Sequence, residues 1–188
     1  MVALDSEADA LDRGDAAPAF ELPGVDGETH TLDDFADNDA LLVVFTCNHC
    51  PYAQAKFDEL NALAAEYDDA AVVGINPNDA EAYPEDSFET MVEYVERGAV
   101  QYDAYLRDES QDVAAKYGAT CTPDPFLFAR EDGAFRLAYH GRLDDATNPD
   151  DDPTEREMKR IIDRVLAGED IDDEFLPSRG CSIKWREE

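Results

Sequence analysis

Residues 41–52 read Leu41-Leu42-Val43-Val44-Phe45-Thr46-Cys47-Asn48-His49-Cys50-Pro51-Tyr52, and they decide the fold. Leu41 to Phe45 is a short, continuous apolar run, the pattern of a strand buried on both faces. It stops at two cysteines spaced C-x-x-C. From Tyr52 to Tyr67, Ala53, Phe57, Leu60, Leu63, Ala64 and Tyr67 recur at three and four, which marks an amphipathic helix. A strand that feeds a cysteine pair at the start of a helix puts sulfur beside unpaired backbone N–H groups and the positive end of a helix dipole.

Working outward, Ala71 to Ile75 is a second buried strand, and Phe88, Met91, Val92 and Val95 form a helical stripe that ends at Gly98. Gln101 to Arg107 reads as a strand, followed by a helix from Ser110 as N-cap to Tyr117 with Gly118 as its stop. Phe126 to Phe128 and Ala134 to Tyr139 face each other across the Asp132-Gly133 turn signal, and a last helix is expected from Thr154 to Leu166. Upstream, Ala17 to Leu22 and Glu28 to Leu32 flank Asp26-Gly27 as an N-terminal hairpin. The alternation predicts an α/β fold: a mixed central sheet flanked by helices, with an N-terminal β-hairpin extension.

A chain of 188 residues suits one domain and can bury roughly 70% of its unfolded surface. We expect a flexible acidic N-terminus over 1–13, a redox domain over 14–175 and a tail over 176–188. The tail's Ile183 and Trp185 are apolar enough to imply that it packs back on the domain.

Forty-six Asp and Glu face fifteen Lys and Arg, a formal net charge of −31, and only Lys56, Lys116, Lys159 and Lys184 are lysines. Nucleic acid would be repelled. The carboxylates are spread over the whole chain, as in proteins of salt-accumulating halophiles, so the charge reads as a halophilic solvent adaptation and not as a docking patch. The opening MVALDSEADA has no basic or apolar signal-peptide region, and the longest purely apolar run is Ala40 to Phe45. No membrane association is expected, and the cytoplasm is the expected compartment.

In a reducing compartment a C-x-x-C pair points to redox or metal chemistry. Zinc would want a second closely spaced pair, but Cys121 and Cys181 are far apart and lack ligand neighbours, so no metal is expected. No dissociable cofactor is needed either, because electrons are stored in the cysteines. The thiolate is the attacking species. Cys47 is therefore the expected nucleophile, Cys50 the resolving thiol, and His49 the neighbour whose hydrogen bond or charge depresses the Cys47 pKa. His30 and His140 are isolated and read as surface or turn residues.

Gly14 to Leu22, Asp26-Gly27 and Leu32 to Phe35 resemble the N-terminal hairpin of the alkyl hydroperoxide reductase and thiol-specific antioxidant branch of the thioredoxin superfamily. Phe45 to Tyr52, Cys121 to Phe128, Gly141 to Asp145 and Gly180 to Trp185 resemble its peroxiredoxin-like subgroup with a CNHC motif. The resemblance implies a thioredoxin-like fold. It also implies a cis-proline loop at Thr122-Pro123 that offers its backbone to a bound polypeptide. The peroxidatic Pro-x-x-x-Thr-x-x-Cys signature fits neither register: Cys47 and Val43 stand in its Thr and Pro places when counted from Cys50, and Val44 and Ala40 when counted from Cys47. The buried Asp and the Trp of thioredoxin are replaced by Leu41 and Thr46.

The expected function is thiol–disulfide exchange by a Cys47/Cys50 pair cycling between dithiol and disulfide. Its substrate would be a disulfide-containing protein or a low-molecular-weight thiol. Electrons would come from an unidentified donor such as a thioredoxin or its reductase. A thiol-dependent peroxidase with an antioxidant role and a redox-sensing binding module without turnover are the alternatives. Cys121 and Cys181 are candidate accessory thiols: a second exchangeable pair, two independent buried thiols, or a structural disulfide. Arg142, Asp144 and Asp145 read as a turn with an ion pair, and Asn76 to Asp79 as turn chemistry.

Overall fold

The computed structural model describes residues 3–187. In chain order its strands are β1 (Ala3–Asp5), β2 (Glu21–Pro23), β3 (Thr29–Thr31), β4 (Ala40–Phe45), β5 (Ala70–Asn76), β6 (Ala104–Arg107), β7 (Cys121–Thr122), β8 (Asp124–Glu131), β9 (Ala134–His140) and β10 (Arg179–Ser182). The helices are α1 (Pro51–Gln54), α2 (Phe57–Glu66), α3 (Phe88–Glu96), α4 (Asp112–Tyr117) and α5 (Glu157–Leu166).

The central sheet has the order β6-β5-β4-β8-β9, with β4, β5 and β6 parallel and β8 and β9 antiparallel to their neighbours. Side chains alternate across a strand. Leu41, Val43 and Phe45 therefore face one way and pack with Val113, Ala114 and Tyr117 of α4. Leu42 and Val44 face the other way, against Leu60 and Leu63 of α2 and Met158, Ile161 and Ile162 of α5. Each such side chain contributes about 1.5–3 kcal/mol by leaving water. This two-sided burial explains the unbroken apolar run of β4 and fixes its C-terminal end, from which the site hangs. The hairpin β2-β3 forms a separate small sheet.

The expected single helix from Tyr52 to Tyr67 is broken at Ala55-Lys56. The Lys56 N–H bonds the Ala53 carbonyl at 3.0 Å, tightening the turn by one residue. Its Nζ leaves the helix to reach Asp144 at 2.5 Å and the Ala146 carbonyl at 2.8 Å. The helix expected from Ser110 starts at Asp112 instead, because Gln111 is left-handed with φ 69°. Its stop is Gly118, at φ 73°, where a Cβ would lie 2.3 Å from Ala10 Cβ. The last helix starts at Glu157 and not at Thr154, whose N–H is held outside the helix by Asp145 at 2.7 Å.

The ends of the chain form a third sheet, β1-β10-β7. The segment expected to be a flexible terminus thus contributes a strand, with Ala3 opposite Cys181 and Asp5 opposite Arg179. Acidic composition gave no hint of a pairing that depends on the far end of the chain. In the tail Ile183 is buried, whereas Trp185 is 44% exposed and packs less than its chemistry suggested. Among the described residues no helix is long and apolar enough to cross a membrane.

Candidate active site

The Thr46 N–H still bonds the Ile75 carbonyl at 2.9 Å, so the sheet ends one residue before Cys47. The chain then turns through Cys47, Asn48 and His49, and α1 begins at Pro51 with Cys50 as its N-cap. Proline is favoured at that first position because its missing N–H would be unpaired anyway. Cys47 therefore stands before the helix itself, and the Cys50 N–H at the N-cap is the part of that end that favours its thiolate. Asn48 pins the turn: its Oδ1 accepts from Tyr105 Oη at 2.7 Å, its Nδ2 donates to the Glu85 carbonyl at 3.0 Å, and its own carbonyl accepts from Gln54 at 2.8 Å.

Cys47 and Cys50 are both buried and meet the same partner across the sheet. Cys47 Sγ lies 3.4 Å from Thr122 Oγ1, and Cys50 Sγ lies 3.7 Å from the Thr122 carbonyl oxygen. The Thr122-Pro123 bond is cis. The disulfide joins Cys50 to Cys181, leaving Cys47 and Cys121 as buried free thiols. The expected bond within the C-x-x-C pair is thus not the one formed in this state, and Cys121 and Cys181 do not pair with each other. The reason is register. Cys181 stands opposite Thr122, and Cys121 stands opposite Ser182. Residues one step apart along a strand point to opposite faces, so Cys181 shares the face of Thr122 while Cys121 turns away, its Sγ 3.6 Å from the Pro123 carbonyl.

Burial pushes the Cys47 thiol up to about 12, and the Asp86 carboxylate adds to the rise; the contact with Thr122, the Cys50 N–H and the charge of Lys184 oppose it. The expected depressed pKa is therefore reversed: Cys47 is a protonated thiol in this closed arrangement.

Asp86 was not singled out from the sequence. It ends a short 3-10 turn at Pro84–Asp86 and is fully buried. It accepts from the Asn48 N–H at 2.7 Å and Asn78 Nδ2 at 2.8 Å, and His49 Nδ1 sits 2.5 Å from its Oδ2. Burial works against its charge, but the contacts from His49, Asn78 and Asn48 outweigh it and hold the carboxyl below its ordinary range. The same contact raises His49 above the usual imidazole value, with burial opposing. Neither ring nitrogen of His49 has a well-aligned hydrogen-bond partner, so the contact with Asp86 rests on proximity and becomes an ion pair when His49 is protonated. The ring stacks on Tyr83 at 5.6 Å between centroids. One donor atom from each of Cys47, His49 and Asp86 lies within 4.8 Å of the other two.

A family model, AhpC/TSA family, matches residues 13–137. The chain belongs to the AhpC/TSA family. An uncharacterized conserved protein from Geobacillus kaustophilus is 39% identical, with a TM-score of 0.90 over 100% of this chain and 98% of that one. A hypothetical protein from Sinorhizobium meliloti is 40% identical, with a TM-score of 0.89 over 98% of this chain and 99% of that one. A Chlorobium tepidum structure described as a thiol:disulfide interchange protein DsbE, 20% identical, aligns at a TM-score of 0.61 over 84% of this chain and 97% of that one, a likeness of fold. No curated protein matches the chain. The fold is thioredoxin-like, and the chemistry of this AhpC/TSA member is thiol-based oxidation and reduction.

Cys47, His49 and Asp86 thus bring a thiol, an imidazole and a carboxylate close together. The same three groups are candidate metal donors, but both Asp86 oxygens are already engaged: Oδ1 accepts from Asn48, and Oδ2 accepts from Asn78 and contacts His49. A metal would have to displace those partners. Other polar pairs lie away from this group. Arg142 pairs with Glu157 at 2.5 Å, and Asp144 receives Lys56. His140, expected at the surface, is buried against Phe126 and lies 2.6 Å from Asp124. His30 does sit among turn carboxylates, 2.8 Å from Asp26.

Proposed function

We propose that the protein is a thiol–disulfide oxidoreductase in which Cys47 is the nucleophile and Cys50 the resolving thiol. The observation that carries this reading is a free thiol, Cys47, set against the same cis-proline loop as a neighbouring cysteine that is already in a disulfide. In the active cycle His49 takes the Cys47 proton, and Asp86 stabilises the resulting imidazolium. The thiolate attacks one sulfur of a substrate disulfide and expels the other as a thiol. Cys50 then attacks Cys47 Sγ, forming Cys47–Cys50 and releasing the second substrate sulfur.

Thr122-Pro123 is the place where a polypeptide substrate would lie, and a low-molecular-weight disulfide is the smaller alternative. A dithiol protein such as a thioredoxin, or a reductase acting on it, would return the electrons. The test is reduction of insulin disulfides at high salt. Wild type should turn over and Cys47→Ser should not. Peroxide consumption that depends on Cys47 without insulin reduction would replace this reading with a peroxidase. Failure of both, together with an oxidation-dependent partner, would replace it with a sensor.

A further inference from the structure

Strand β10 lies along the backbone of Cys121-Thr122, the edge beside the cis-proline that a bound polypeptide would use. An extended segment added to a sheet edge is a general mode of peptide recognition, and here the protein's own tail occupies it. The fit is close. A Cβ on Gly180 would fall 2.2 Å from the Thr122 carbonyl oxygen, so only glycine allows this approach. The register then sets Cys181 opposite Thr122, whose carbonyl contacts Cys50 Sγ and whose hydroxyl contacts Cys47 Sγ. Three sulfurs thus converge on one residue.

The tail is also tied to the acid–base pair. The Lys184 N–H donates to Asn78 Oδ1 at 2.9 Å, while Asn78 Nδ2 donates to Asp86. The Lys184 carbonyl accepts from the Asp79 N–H at 2.8 Å and Gln111 Nε2 at 2.9 Å.

We propose that Cys181 is the third redox-active cysteine: it withdraws the disulfide from the Cys47–Cys50 pair by intramolecular exchange, so that the oxidised protein rests as Cys50–Cys181 with Cys47 returned to thiol. This rests on the oxidoreductase reading. In the step, the Cys181 thiol gives its proton to solvent and the resulting thiolate attacks Cys50 Sγ. The Cys50–Cys181 bond forms, the Cys47–Cys50 bond breaks, and Cys47 leaves as a thiolate that takes the proton held by His49. No electron enters or leaves. Over the whole cycle the two electrons given to the substrate disulfide come from Cys50 and Cys181. With the bond closed, β10 fills the polypeptide position, and the electron donor must reduce Cys50–Cys181 before the next substrate is held there.

The competing reading is a structural staple, since a disulfide between residues 131 apart in sequence stabilises a chain by restricting its unfolded ensemble. The two are separated by mixing reduced protein with stoichiometric oxidised glutathione, quenching in acid, alkylating free thiols and mapping the peptides against time. Wild type should show Cys47–Cys50 early, then Cys50–Cys181, with alkylatable Cys47 lost and then regained. Cys181→Ser should stop at Cys47–Cys50 and never regain Cys47, with an unchanged far-ultraviolet circular dichroism spectrum.

The proposal is overturned if Cys50–Cys181 forms in Cys47→Ser at the wild-type rate, or if Cys47 is regained equally in Cys181→Ser. It is overturned as well if a Cys50–Cys181 bond formed beforehand in wild type is never opened by the donor while insulin is being reduced. Each of these leaves the oxidoreductase reading standing. Insulin reduction that persists in Cys47→Ser would instead remove that reading.

Discussion

The Cys47–Cys50 turn and the β10 strand meet at the same sulfur, but they arrive there by different physics. The turn is held from several sides by side chains as well as backbone: by the end of β4 and the cap of α1, by Gln54 six residues on, and by Tyr105, Glu85 and Asp86 from distant segments. The strand is held by partners far away, Cys121-Thr122 on one side and Ala3–Asp5 on the other. Restraint from near and distant elements together makes the turn a fixed feature of the fold. The strand rests on short backbone pairings to two-residue and three-residue partners, and such a pairing can open without unfolding the elements it covers. The comparison suggests a rigid nucleophile and a displaceable strap.

The largest effect should come from the rigid side. Cys47→Ser is expected to lower disulfide-reductase turnover by at least ~10³-fold, as loss of a covalent nucleophile does elsewhere, while stability measured by urea denaturation changes little. Retained turnover would move the nucleophile to Cys50 or Cys181 and break the comparison at its root.

Next is Asp86→Ala, which strips a buried carboxylate from its donors and should cost about 3–5 kcal/mol in urea unfolding. The sign of its pH dependence follows from the two shifts. The Asp86 pKa is lowered on folding, so its contribution is present above the unfolded value and is lost as pH falls through the folded one. The His49 pKa is raised, so its contribution is present below the unfolded imidazole value and is lost as pH rises through the folded one. The gap between wild type and Asp86→Asn should therefore be widest between about pH 4 and 6.5. A gap of the same size inside and outside that window would mean the pair is not ionic.

The same contrast governs what could be read from the sequence. β4, β5 and the apolar stripes were legible because two-sided burial leaves a continuous run and one-sided burial leaves a period. The C-x-x-C turn was legible because strand, cysteines and helix are contiguous. Asp86 was not, because among 46 acidic residues no single carboxylate stands out, and its burial depends on Asn48 and Asn78 from other loops. The Cys50–Cys181 bond was not, because register between β7 and β10 is a property of the assembled sheet. The break at Lys56 and the left-handed Gln111 were hidden for a like reason: Asp144, Pro77 and Lys184, which hold those two side chains, are distant in sequence.

Gly180→Ala tests the removable side. The new methyl meets the Thr122 carbonyl at 2.2 Å, and backbone cannot yield as a side-chain tip can. We expect a loss of about 1–3 kcal/mol, together with faster alkylation of Cys47 as β10 lifts from its place. Unchanged alkylation of Cys47 would show that the strand does not cover it.

The smallest effect should be the influence of salt on this contrast. We infer that the surface charge of −31 is a halophilic adaptation, so the melting temperature of the whole domain should rise steeply from low to multimolar potassium chloride as carboxylate repulsion is screened. The His49–Asp86 contact has one fully buried partner, and buried pairs are screened far less than exposed ones. The stability gap between wild type and Asp86→Asn at pH 5.5 should therefore move by less than ~0.5 kcal/mol over the same salt range. A gap that shrinks in step with the rise in melting temperature would make His49 and Asp86 part of the solvated surface. Tuning of Cys47 would then depend on the salt around the protein and no longer on the fold that encloses it.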